Sequence, residues 1–131
     1  MNLEQAVETL EHVMVDQWAD KPLVEFDNVK FDQPDNESYV HFQVLFGENP
    51  NFLNCGGTMT FTQTGTIQLY IYIPANEGSK ECWQIADRFR SIFQNTTFDK
   101  IRTYEGFVSV PTRESNWYHS RVSIRFEFES K

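Results

Sequence analysis

Gly65-Thr66-Ile67-Gln68-Leu69-Tyr70-Ile71-Tyr72-Ile73-Pro74 is the stretch from which the fold can be read. Its aliphatic residues occupy every second position. Ile67, Leu69, Ile71 and Ile73 therefore project to one side of an extended chain, and Gln68, Tyr70 and Tyr72 to the other. That is a strand with one buried face, broken at Pro74 to Gly78. Upstream, Thr58, Thr60 and Thr62 alternate with Met59, Phe61 and Gln63, and Thr64-Gly65 stands between the two runs. Two alternating runs around a glycine turn predict a β-hairpin over 58–73.

Working outward, residues 38–46 alternate again, with Val40, Phe42, Val44 and Phe46 on one side and Tyr39, His41, Gln43 and Leu45 on the other. Residues 23–31 hold a shorter strand-like run, followed by a polar loop over 32–37. Asn116 leads into a last strand from Trp117 to Phe128, with Val122, Ile124, Phe126 and Phe128 inward. Residues 98–110 read as one broken strand or two short ones. Two segments carry helical spacing instead. Over 2–17, Leu3, Ala6, Val7, Leu10, Val13 and Met14 recur every three or four residues behind an Asn2 cap. Over 79–94, Cys82, Ile85, Ala86, Phe89, Ile92 and Phe93 form the inner stripe behind Ser79, with Arg88 and Arg90 largely outward. The order of helix, strands, helix, strands predicts an α+β fold with a largely antiparallel or mixed β-sheet and two helices packed on one face.

The 131 residues suit a single domain spanning 1–131, and no repeat or linker interrupts them. Twelve Phe, five Tyr and three Trp supply bulky core material. No apolar run is long enough to span a membrane, and the first ten residues carry two Glu and no Lys or Arg. That start is unlike a secretory signal, so folding is expected in a cytoplasm, with Cys55 and Cys82 as free thiols.

The net charge of −8 is unevenly spread. Residues 1–79 contain twelve acidic residues against Lys21 and Lys30, whereas residues 80–131 contain seven acidic and nine basic residues. Such a chain can present complementary surfaces to its own copies. An acidic molecule is a poor partner for nucleic acid at long range, even though Arg88, Arg90, Arg102, Arg113, Arg121 and Arg125 could gather. Arginine is also favoured over lysine at protein interfaces.

Catalytic and metal-binding spacings are missing from the sequence. His12, His41 and His119 are scattered, and neither a His-Glu-x-x-His nor a Cys-x-x-Cys motif occurs. Asp32, Asp35 and Glu37 lack the glycine and terminal glutamate of a calcium loop. Asn54-Cys55-Gly56-Gly57 is a flexible loop without phosphate-cradling spacing, and Asn95-Thr96-Thr97 is a glycosylation sequon that matters only on secretion. No cofactor or metal is expected, and no enzymatic activity. For a small α+β enzyme of thioesterase-like type, Asp27 is the one carboxylate to test. A bacterial binding module is a further alternative.

Several stretches together resemble the tail-terminator-like minor tail proteins of long-tailed bacteriophages. These are Trp18 with Lys21-Pro22-Leu23-Val24 and Asn28; the strand 65–74 with its closing proline; Gly78 with Ile85-Ala86-Asp87 and Phe93; and Trp117 ahead of the alternating Val122 to Phe126. The resemblance implies a virion protein that forms a ring, commonly a hexamer, at the head-proximal end of the tail. It also implies a tail-tube protein and a head connector as partners, and DNA passing through the lumen without specific binding. Another head–tail joining protein, such as a connector or tail-completion factor, is the neighbouring alternative. On this reading Arg88, Arg90, Arg113, Arg121 and Arg125 are candidate subunit-interface residues, facing Asp16 and Asp20 of a neighbour. The stretch 47–57, with Asn51, Phe52, Asn54, Cys55, Gly56 and Gly57, is a candidate docking loop.

Overall fold

The computed structural model of the chain describes residues 1–47, 51–55 and 58–130. Helix α1, Leu3–Gln17, starts where expected. The Asn2 side chain accepts from the Gln5 backbone N–H at 2.8 Å, and the Gln5 side chain accepts from the Asn2 N–H at 2.9 Å. This reciprocal capping box satisfies two amides that the first turn would otherwise leave bare. Ala6, Leu10 and Met14 are its fully buried residues. Helix α2, Lys80–Phe93, buries Cys82, Ile85, Ala86, Phe89 and Phe93, the stripe read from the sequence apart from partly buried Ile92. Ser79 stands at its N-cap without a side-chain capping bond.

The strands are β1 (Leu23–Phe26), β2 (Tyr39–Phe46), β3 (Asn51–Cys55), β4 (Thr58–Pro74), β5 (Thr97–Phe98), β6 (Ile101–Val108), β7 (Thr112–Glu114) and β8 (Trp117–Ser130). They form a mixed sheet in the order β1-β2-β4-β8-β6-β5, with β3 also beside β4 and β7 beside β8. The β1–β2 pair is parallel and the other pairs are antiparallel. The α+β class therefore holds.

The expected hairpin over 58–73 does not form. Residues 58–74 are one continuous strand of 17 residues, running past Gly65 without reversing. At about 3.4 Å per residue it extends roughly 55 Å. Gly65 is paired with Phe46 on one side and Phe126 on the other. A Cβ there would fall 2.3 Å from Phe126 Cζ and 2.5 Å from the Leu45 carbonyl oxygen. The glycine makes room for a ring in the middle of a strand, a use that sequence alone does not separate from a turn. Instead, β3 pairs antiparallel with the first part of β4. Asn51, Phe52, Asn54 and Cys55 thus lie in a strand and not in the expected loop, while Gly56 and Gly57 fall outside the described residues. Strand β7 was likewise unforeseen; it turns into β8 through Ser115, whose φ is 53°.

Both helices cover the same sheet face. Ile67, Leu69, Ile71 and Ile73 of β4 and Val122, Ile124, Phe126 and Phe128 of β8 are buried beneath them. The ring of Phe42 from β2 lies 6.3 Å from Phe89 and 5.8 Å from Phe93, and Trp18 at the end of α1 meets Phe89 edge-on. Period-two alternation puts the intervening residues on the other face, which carries no helix.

Candidate functional site

The helix-free face divides into an aromatic end and a charged end. At the aromatic end Tyr39 stacks on Tyr72 at 4.7 Å, and the Trp117 ring meets Tyr39 edge-on at 5.2 Å. Burial, reinforced by Tyr72 and Glu25, pushes the Tyr39 phenol up to about 12. Tyr72 is raised first by burial and then by Tyr70, Glu25 and Glu114. Both phenols stay protonated near neutrality, which suits a packed aromatic wall and not a general base.

Two histidine–carboxylate pairs border this wall. His41 Nε2 lies 2.8 Å from Asp27 Oδ1, and His119 Nε2 lies 3.1 Å from Glu114 Oε2. Asp27, the carboxylate named for a thioesterase-like reaction, sits on exposed surface beyond β1 with this histidine as its partner. Among the described residues no group of three His, Cys, Asp or Glu is placed to hold a metal ion. Cys82 is a buried core thiol whose pKa burial raises.

At the charged end, Arg121 and Arg125 project from β8, in register with Tyr70 and Thr66 of β4. Phe107 of β6 pairs with Ser123, midway between them, and is strongly exposed. Diagonal neighbours across an antiparallel pair lie about 7–8 Å apart, and Arg121 and Arg125 occupy the two positions diagonal to Phe107. The Arg125 guanidinium also approaches the Tyr104 ring at 5.9 Å, and the Tyr104 hydroxyl donates to Glu127. Neither Arg121 nor Arg125 forms an ion pair among the described residues.

The other expected interface arginines do not join them. Arg88 and Arg90, read as largely outward, are half-buried and committed to their own chain. The Arg88 guanidinium stacks 4.0 Å above the Trp18 ring, and its Nη1 donates to the Lys21 carbonyl at 3.1 Å. Its Nη2 is buried without a hydrogen-bond partner among the described residues. Arg90 Nε donates to Gln94 at 3.2 Å, with Asp87 and Glu105 each 3.9 Å away. These two arginines clamp α2 to the chain around Trp18 and to β6, which helical phase alone cannot reveal. Arg113 is exposed on β7 but pairs with Tyr118, apart from Arg121 and Arg125. Asp16 is exposed near the end of α1 and lies 3.1 Å from His12; Asp20 is exposed just after the helix.

One flank of α1 forms a shallow groove lined by Leu3, Glu4, Val7, Glu8, Glu11, His12 and Val15. Burial, and then Asp27, raises the Glu11 carboxyl. Phe107 and this groove were not singled out from the sequence. The only available signal was the apolar residues Leu3, Val7 and Val15 lying close to the glutamate stripe.

A family model described as phage tail terminator protein matches residues 3–126. A search of curated proteins returned no match. One solved protein chain superposes with a TM-score of 0.66 at 15% identity, covering 95% of this chain and 96% of the other. At that identity the likeness speaks for the fold alone. Among the described residues no helix is long and apolar enough to cross a membrane.

Proposed function

The chain belongs to the phage tail terminator family, and from that premise we propose that it caps the head-proximal end of the tail tube as a ring. Its role is structural, in the phage tail and its joining to the head. The match across residues 3–126 carries this reading, because it takes in both helices and most of the sheet.

In the proposed assembly the chain acts as one tail-terminator-like domain and performs no bond-making. It is made in the host cytoplasm and becomes part of the virion at the head-proximal end of the tail. Copies close into a ring, taken as a hexamer, that halts tube polymerisation and offers a surface to the head connector. DNA passes through the lumen without specific binding, in keeping with a net charge of −8. The β3–β4 arm, in place of the loop first expected at 47–57, is the proposed docking element toward the tail tube or connector.

The test is tube elongation in vitro. Purified tail-tube protein is polymerised with and without this chain, and tube length and ends are examined by electron microscopy. Shortened tubes bearing a ring at one end are expected. Tubes of unchanged length and bare ends would overturn the capping role. Binding to purified head connector but not to tubes would favour a different head–tail joining protein.

A further inference from the structure

Two surfaces of the chain each hold what the other lacks. On the helix-free face, Phe107 is 77% exposed between Arg121 and Arg125, and Val110 beyond the end of β6 is 85% exposed. On the helix-bearing side, the flank of α1 exposes Leu3 at 48% and Val15 at 63% among Glu4, Glu8 and Glu11. Exposed apolar side chains of this size are ordinary when scattered singly. Here Phe107 has Arg121 and Arg125 at its diagonal positions, with Glu127 beyond Arg125, whereas the α1 set stands among Glu4, Glu8 and Glu11.

Among the described residues, the charges on both surfaces also lack ion-pair partners. Helix α1 has no Lys or Arg, and its one basic group, His12, is directed to Asp16. Glu4, Glu8 and Glu11 form no ion pair with a basic residue among the described residues, and neither do Arg121 and Arg125. Burial first, and then the Asp27 carboxylate, raises the Glu11 carboxyl. An incoming guanidinium would therefore meet an acidic surface without first breaking an ion pair of Glu4, Glu8 or Glu11.

We propose that the Phe107 knob, with Arg121 and Arg125, seats in the acidic α1 groove of a second copy of this chain. The occupant follows from charge complementarity. The knob is an apolar ring whose diagonal neighbours are two arginines, and the α1 flank is an apolar strip edged by three carboxylates. The two surfaces differ and lie on different sides of the sheet, so the contact is head to tail. Such contacts close into rings or run on as filaments, according to the rotation per subunit. Apolar burial at the centre supplies the attraction, while the charges set register and exclude a knob-to-knob pairing. This assignment rests on the ring reading above.

The experiment reverses each surface separately in the full chain. One variant carries Arg121→Glu with Arg125→Glu, and the other Glu8→Lys with Glu11→Lys. All four side chains lie outside the fully buried core, so circular dichroism and melting should match the parent. In light scattering each variant alone is expected as a monomer, while the parent assembles. Mixed in equal amounts they should recover the parent mass, because every contact in an alternating ring is then complementary. A variant that keeps the parent mass, or a mixture that stays monomeric, would overturn the pairing and leave the ring intact. Variants that assemble normally but no longer bind tail tubes would also overturn it, assigning these surfaces to the tube. A parent that remains monomeric even with tail tubes would remove the ring reading itself.

Discussion

Gly65 lies against the ring of Phe126 so closely that a Cβ on the glycine would stand 2.3 Å from Phe126 Cζ. The Leu45 carbonyl oxygen closes the same space at 2.5 Å, and backbone is harder to displace than a side chain. Gly65→Ala is expected to destabilise the fold by about 1–3 kcal/mol, the usual cost of overpacking. If contact with the ring is the cause, adding Phe126→Leu should recover part of that loss in a double-mutant cycle measured by denaturant unfolding. Strictly additive effects would show that the ring is not responsible.

Arg88 is half-buried and makes its contacts within its own chain. Arg88→Ala removes the stacking on Trp18 and the bond to the Lys21 carbonyl. A loss of about 1–2 kcal/mol is expected for this half-buried group. The assembled mass should not change, in contrast to substitutions at Arg121 and Arg125. A drop in assembly without a drop in melting temperature would return Arg88 to the subunit interface.

The capping box at α1 is a local device with a local cost. Asn2→Ala leaves the Gln5 amide without its acceptor and should destabilise by about 1 kcal/mol. Asn2→Asp or Asn2→Ser should keep most of the stability, since either supplies an oxygen at the same place. Equal losses for all three substitutions in thermal melts would argue against the cap.

Tyr39 links stability to high pH. Burial pushes its phenol up to about 12 in the folded chain, from an ordinary value of about 10. The unfolded chain therefore releases this proton first. Stability from Tyr39 is complete below about pH 10 and declines as pH rises toward 12. Tyr39→Phe should flatten that decline in unfolding measurements between those limits. An unchanged slope would place the alkaline sensitivity elsewhere.

Cys82 should resist a thiol reagent until the protein opens. It is fully buried in the core, and burial raises its pKa. In a Cys55→Ser background, modification by a disulfide reagent should occur at the unfolding rate. Rapid reaction with the native chain would contradict the packing of α2.

What the sequence determined by itself was whatever depends on near neighbours along the chain. The alternation from Ile67 to Ile73, the Asn2–Gln5 cap and the stripe from Cys82 to Phe93 all express fixed backbone periods. They were enough for the α+β class, both helices and the buried side of the long strands. The similarity that pointed to tail terminators was legible because its motifs extend along most of the chain. Tertiary structure alone decided the rest, because the deciding contacts join distant residues. Gly65 became a strand position because Phe126 needs its space, and β3 formed because it found the far end of β4. Arg88 was withdrawn from the surface by Trp18, while Arg121 and Arg125 were left flanking Phe107 by the register of β6 on β8. Side-chain spacing sets the direction in which a residue points, but what it meets there depends on which strand or helix lies beside it.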